Sequence, residues 1–196
     1  MSQRLPCSQC GALILPETAQ KNAGLCMPCK GGYREQIEDG KRANEEQKQF
    51  YESAEYKYWS NLVERVHHSP EGFEGLTEQE KIFYAVSCLI GEVYNGGFYQ
   101  FFSNSSGRLY GYALNGLHEL GAETSASLLV QAKELLFEER PIPLDRVERF
   151  QLMPTEEAPE IEKRLDALDR IFYTEPDQVS EKCGAYAIKH QFYPSV

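Results

Sequence analysis

Residues 77–104, TEQEKIFYAVSCLIGEVYNGGFYQFFSN, decide the fold class. Thr77 and Glu80 stand at capping-box spacing, in which the Thr oxygen and the Glu carboxylate each satisfy an orphan amide of a helix start. Ile82, Val86, Leu89 and Val93 then recur at helical intervals, and Phe83, Ala85 and Ile90 widen the stripe. The spacing predicts a central, largely buried helix. Asn95-Gly96-Gly97 stops it, because Asn and Gly tolerate the left-handed conformation that closes a helix. Phe98, Tyr99, Phe101 and Phe102 form an aromatic cluster of one or two helical turns, followed by the turn Asn104-Ser105-Ser106-Gly107. The Asn-Gly-Gly-Phe step is a poor phosphate loop: it lacks GxGxxG and a following Lys, and no strand precedes it. A helix stop feeding an aromatic anchor explains it better.

The same period continues on both sides. From Ala43 to His67, Phe50, Ala54, Tyr58, Leu62 and Val66 recur every four positions beside Tyr51 and Trp59, which predicts one amphipathic helix. Residues 34–42 are charged and read as either linker or solvent-exposed helix. Downstream, Leu109–Leu120 predicts a helix closed by Gly121, and Thr124 or Ser125 is expected to cap the next, with Leu128, Leu129, Ala132, Leu135 and Leu136 facing inward. Pro141 and Pro143 enforce a break after Phe137. A linker-like stretch through residue 160 follows, then a helix on Ile161, Leu165, Leu168 and Phe172, and a last one over 178–190 with Val179, Cys183, Tyr186, Ala187 and His190. Strand alternation is absent after residue 33. The expected architecture is mainly all-α, a multi-helix bundle-like domain behind a small four-cysteine zinc-ribbon module. The boundaries expected are 1–32 for the ribbon, 33–54 for a linker and helix start, and 55–193 for an acidic helical domain.

With 196 residues and 41% hydrophobic content, the chain suits one ordinary domain plus an appendage. Aromatics at 12% make a packed core feasible despite a mean hydropathy of -0.52. Thirty acids against 20 bases give a net charge of -10, which argues against direct nucleic-acid binding by a basic surface. Residues 1–32 carry three bases and one acid, whereas residues 119–181 hold 16 acids and seven bases. No apolar run approaches the ~20 residues of a membrane span, and no secretory signal is visible. The expected location is the cytoplasm.

Cys7-x-x-Cys10 and Cys26-x-x-Cys29 are two pairs separated by 15 residues. Each pair sets two thiolates on one metal from a tight turn, and a short hairpin between the pairs would bring them together. Four thiolates suit structural Zn2+. Two disulfides or surface thiols are the plain alternatives, and iron fits the same geometry. A closed four-sulfur site leaves no position for substrate water, so its expected role is structural.

Elsewhere the chemistry is thin. Cys88 and Cys183 fall on apolar helix faces and read as small hydrophobes. His67-His68 sits at a helix end, where imidazolium is favoured without a metal. His118 and Glu119 lack HExxH spacing. No nucleophile–base–orienter set emerges, and the chain is expected not to be an enzyme.

The stretch from Glu92 to Asn104, with Asn95, Gly96, Gly97, Phe98, Gln100 and Phe102 as its most specific feature, resembles the bacterial DNA-mimic protein family, long catalogued as a domain of unknown function. Leu114, Leu117, Gly121, Ala122, Leu165-Asp166 and Phe172-Tyr173 look like that family as well, over roughly residues 55–193. The resemblance implies a compact all-helical domain. It also brings the precedent of a dimeric acidic protein occupying the DNA-binding face of a transcriptional regulator.

Three functions follow as expectations. The first is a non-enzymatic acidic module whose Glu138, Glu139, Asp145, Glu148, Glu156, Glu157, Glu160 and Glu162 meet Lys and Arg of a basic DNA-binding protein or toxin, as a DNA mimic or inhibitor. Arg140, Arg146, Arg149, Lys163 and Arg164 interrupt this run. The second is a zinc-ribbon adaptor contacting nucleic acid while the acidic domain recruits protein, although Arg4, Lys21 and Lys30 are too few to argue for such a contact. The third is an enzyme with a small-molecule pocket near the motif, lined by Tyr94, Asn95, Phe98 and Tyr99. A homodimer is compatible with each, symmetric dimers being the commonest oligomers.

Overall fold

A computed structural model describes residues 3–154 and 158–194. The chain separates into two compact units, one ending at Lys57 and the other beginning at Tyr58. The architecture is mostly α-helical behind a small N-terminal β-hairpin, as the sequence periodicity predicts.

In the first unit, β1 (Leu5–Pro6) pairs antiparallel with β2 (Leu13–Ile14), Leu5 opposite Ile14 and Pro6 opposite Leu13. The hairpin therefore folds around the first cysteine pair, where it had been expected between the pairs. The connection between them is instead helical, α1 (Pro16–Lys21), begun by a proline at its first position. α2 (Met27–Gly31) starts on Cys26 as its N-cap.

The charged stretch at 34–42 is helix: α3 (Arg34–Glu52) has no buried residue among its 19. Pairs such as Arg34–Glu38 at 3.1 Å and Arg42–Asp39 at 2.6 Å lace its surface at i,i+4 and i,i+3. Such pairs stabilise a solvated helix by ~0.2–0.5 kcal/mol each. The single helix expected over Ala43–His67 is two. Ser53 leaves the helical region (φ -65, ψ 154), and its Oγ accepts the Tyr56 N–H at 3.1 Å, capping α4 (Ala54–His68). The i+4 pattern runs across the break unaltered, so it could not reveal a serine cap.

The second unit is organised on α5 (Glu78–Ser103), against which α6 (Tyr110–Glu119), α7 (Glu123–Phe137), α9 (Pro159–Phe172) and α10 (Val179–Lys189) pack. Two short 3-10 turns, Gly72–Gly75 and Ser105–Leu109, flank α5. The capping box forms: Glu80 N–H donates to Thr77 Oγ1 at 3.2 Å, and Thr77 N–H donates to Glu80 Oε2 at 2.9 Å. Val86, Leu89 and Val93 are fully buried, with Phe98, Phe101, Phe102, Leu117, Leu129 and Phe137 around them. Burying each such side chain contributes ~1.5–3 kcal/mol. α6 approaches α5 at Gly116, where a Cβ would collide with Val86 and Ile82.

Three helix ends depart from expectation. Asn95-Gly96-Gly97 bends α5 and the helix then resumes: Gly96 (φ -164) and Gly97 (φ 75) leave the helical region, and the aromatic turns follow. Neither Thr124 nor Ser125 caps α7, because it begins earlier, after Ala122. Its Ser125 N–H is taken by Asp177 Oδ2 at 2.6 Å from the distant α10 approach. The linker-like stretch after Pro143 contains α8 (Arg146–Leu152), whose Val147 and Glu148 amides donate to Asp145 Oδ1 at 2.9 and 3.0 Å.

Candidate metal centre and interaction surface

The four cysteines converge. Sγ of Cys7, Cys10, Cys26 and Cys29 all lie within 4.8 Å of one another, and Cys10 and Cys26 are 3.7 Å apart. A tetrahedral metal with ~2.3 Å bonds to sulfur needs edges of ~3.8 Å. The cluster can chelate a metal ion. Three of the four are buried, with Ala12, Ile14 and Leu25 packed against them as almost the whole apolar interior nearby.

Backbone amides are aimed at the sulfurs. Cys26 N–H donates to Cys7 Sγ at 3.2 Å and Cys29 N–H to Cys26 Sγ at 3.5 Å. The amides of Cys26 and Cys10 pull the Cys7 thiol down to about 6, and burial pushes Cys29 up to about 12. Cys7 is thus ready to bind as a thiolate, while Cys29 needs the positive charge of a metal. Gly11 and Gly32 close the two turns with φ of 71 and 72. Of the bases beside the cluster, Lys30 Nζ donates to Asn22 Oδ1 at 2.8 Å. Arg4 and Lys21 remain exposed.

The Asn-Gly-Gly-Phe motif works as a joint. Phe98 N–H, the first amide of the resumed helix, donates to Asp169 Oδ1 on α9 at 2.8 Å. A Cβ at Gly97 would strike that carboxylate. Gln100 Nε2 and Asn104 Nδ2 both donate to Glu92 Oε2, at 2.7 and 2.9 Å, and Ser106 Oγ donates to Oε1 at 2.9 Å. Glu92 therefore clamps the two sides of the kink. Phe98 and Phe102 are fully buried. Phe98 packs edge-on against Phe172 at 5.5 Å and Phe102 against Phe137 at 5.5 Å.

Arg149, one more base of a polar run in the sequence, is a structural residue. Its side chain is fully buried and donates to four carbonyls: Phe102 (3.0 Å), Pro143 and Leu144 (2.8 Å each) and Asn104 (2.7 Å). It ties α8 to the end of α5, and only its place in a polar run hid it. Arg146 is also engaged, Nε donating to Ser103 O at 2.9 Å. Arg140 Nε likewise donates to Phe137 O at 3.1 Å, so three of the bases interrupting the acidic run are bonded to backbone carbonyls.

Glu138 and Glu139 follow α7 directly, Asp145 caps α8, Glu148 sits in its first turn, and Glu160 and Glu162 occupy the first turn of α9. All six are exposed. Among the described residues none of them forms an ion pair. Glu156 and Glu157 lie outside the described residues.

A cavity of about 530 Å³ opens beside the kink, with Tyr99, Leu136, Ile161 and Leu165 as apolar walls and Glu162, Asp166 and Asp169 as polar ones. Of the four residues expected to line a pocket near the motif, Tyr99 does. Phe98 belongs to the core, and Tyr94 Oη donates to Glu175 Oε1 at 2.7 Å.

Cys183 is buried, and burial pushes the Cys88 thiol up to about 12, away from a reactive thiolate. His118 Nδ1 lies 2.9 Å from Glu123 Oε2 in an exposed contact, and the His190 ring packs tilted against Tyr186, with centroids 4.3 Å apart. No helix among the described residues is long and apolar enough to cross a membrane.

The sequence profile of the DMP19-like protein family matches residues 74–190, from the turn before α5 through the end of α10. No curated protein and no solved structure matches the chain.

Proposed function

The chain belongs to the DMP19-like protein family, and from that premise we propose that it is a non-enzymatic, cytoplasmic interaction protein whose acidic helical domain binds a basic protein. The partner class is a DNA-binding protein or a toxin, whose Lys and Arg side chains meet carboxylates that stand in for DNA phosphates. One observation carries this reading. Glu138, Glu139, Glu148, Glu160 and Glu162 are exposed without an ion-pair partner among the described residues, while Arg149 is withdrawn into the core. The charge left at the surface of this segment is more negative than its composition suggests.

A plain structural role competes for some of these acids. Glu148, Glu160 and Glu162 lie in first turns, where a carboxylate stabilises a helix by ~0.3–1 kcal/mol without any partner. Glu138 and Glu139 have no such role, since they follow the C-terminus of α7, the unfavourable end for an acid. They are the better discriminators.

The four-cysteine module, on this reading, holds Zn2+ as a structural ion. The 3.7 Å sulfur spacing and the amides aimed at sulfur support it. The ion supplies folding energy to a unit with little apolar interior. An adaptor role on nucleic acid is less favoured, because the first 32 residues carry only Arg4, Lys21 and Lys30 as bases, and the exposed Lys30 is already bonded to Asn22.

Affinity capture from native lysate at low and moderate salt, with wild type beside Glu138→Lys/Glu139→Lys, tests the reading. One basic protein at stoichiometric yield is expected, lost as salt rises and lost from the charge-reversed chain. A partner profile identical for both chains would overturn it.

A further inference from the structure

We infer that the cavity beside the Gly96-Gly97 kink is a binding site for an organic cation, a guanidinium or primary ammonium group on an apolar stem. The cavity, about 530 Å³, is large enough for a side chain of Lys or Arg length. Tyr99, Leu136, Ile161 and Leu165 supply apolar walls for methylenes, and no Lys or Arg lines it among the described residues. Asp169, only 9% exposed, stands in its lining without a counter-ion among the described residues. One oxygen, Oδ1, holds the Phe98 amide; Oδ2 has no hydrogen-bond partner among the described residues. With one donor only, a carboxylate so buried is incompletely compensated for lost hydration, and a cation at its second oxygen would stabilise it. Burial, opposed by the Phe98 amide and reinforced by Asp166, raises its pKa, and an entering cation would favour the ionised form. Glu162 and Asp166 line the same cavity and are exposed, so they can draw the cation in from solvent.

The fold holds Asp169 in place for this. Gly97 at φ 75 brings its backbone against the carboxylate where any Cβ would collide, and the side chain is oriented from behind by the Phe98 N–H. The site itself stands on the cavity. That its cation is a Lys or Arg of the basic partner rests on the function proposed above; a free amine has the same chemistry.

The probe is N-acetyl-arginine methylamide, with the neutral citrulline analogue as control, titrated into the full-length 15N-labelled chain. Saturable shifts of the Gly96, Phe98 and Tyr99 amides are expected with arginine and not with citrulline. Affinity should fall at least tenfold in Asp169→Asn, which keeps an acceptor for the Phe98 amide, and in Glu162→Gln/Asp166→Asn, whose side chains are solvent-exposed. The spectrum reports folding in the same tube. Absence of saturable shifts in the wild type, or equal shifts with citrulline, overturns the site whatever the fate of the partner reading. If arginine binds and the two variants lose both it and the captured partner, the cation is a partner side chain. If they lose arginine yet keep the partner, the site stands as one for a free amine.

Discussion

The amide of Phe98 and the carboxylate of Asp169 are joined across 71 residues by a 2.8 Å hydrogen bond. That bond explains the motif. The kink at Gly96-Gly97 frees the first amide of the resumed helix, that of Phe98, and an acid from α9 caps it in place of a local side chain. The glycine is needed at 97 for two reasons, positive φ and proximity to Asp169. Gly97→Ala should therefore destabilise the protein by ~2–4 kcal/mol. Gly91→Ala, in the straight part of α5 with open space at its Cβ, should stabilise it by ~0.5–1 kcal/mol. Urea denaturation of both variants checks the contrast, and equal effects would contradict it.

Arg149→Met should cost about 3 kcal/mol or more, because it removes the guanidinium donors of the Phe102, Pro143 and Leu144 carbonyls and one of the two donors of the Asn104 carbonyl. Arg149→Lys should recover little. An ammonium cannot span four carbonyls that a planar guanidinium reaches from separate nitrogens. Denaturation midpoints measure this, and full rescue by Lys would show that charge alone suffices there.

Glu80 gives the fold an acid-sensitive contact. Burial alone would raise its pKa, but the Arg65 guanidinium, the Thr77 amide and the Tyr58 hydroxyl outweigh it and bring it to about 2. A folded-state pKa below the unfolded value means stability that is present above about pH 4.5 and lost as pH falls toward 2. The linkage amounts to about 3 kcal/mol. Glu80→Gln should lower stability at pH 7 and flatten its pH dependence between those limits, read by thermal denaturation across pH. An unchanged acid limb would assign the acid sensitivity to other carboxylates.

Metal analysis of the purified chain should return one Zn2+ per chain, without the visible absorption that iron in four thiolates would give. Cys7→Ser should abolish it and unfold the hairpin segment, while the helices from α5 onward keep their cooperative transition, since their core contains none of these cysteines. Far-UV circular dichroism with elemental analysis tests both halves. A metal-free wild type with native N-terminal amide shifts would leave the cysteines as plain packing residues.

Much of this was legible in the sequence, and the reasons for the exceptions are physical. α5 could be read because its capping box and apolar stripe are local signals, and the cysteines because metal geometry constrains spacing. The break at Ser53 could not, since Phe50, Ala54 and Tyr58 keep a four-residue period across it. α8 is only seven residues long and begins after two prolines, so its pattern is too short to register. Arg149 and Asp169 are charged residues in charged surroundings, and their burial is decided by partners 47 and 71 positions away. Those two long-range contacts determine what the acidic segment can present.

The central claim is that carboxylates of the helical domain take the place of DNA on a basic protein. The most direct measurement is competition: the captured partner complex, at fixed low salt, challenged with increasing duplex DNA and followed by the fraction still bound. The account predicts complete, concentration-dependent displacement of the wild-type complex by DNA, and no complex with the Glu138→Lys/Glu139→Lys chain. A complex that withstands saturating DNA, formed equally well by both chains, would contradict it.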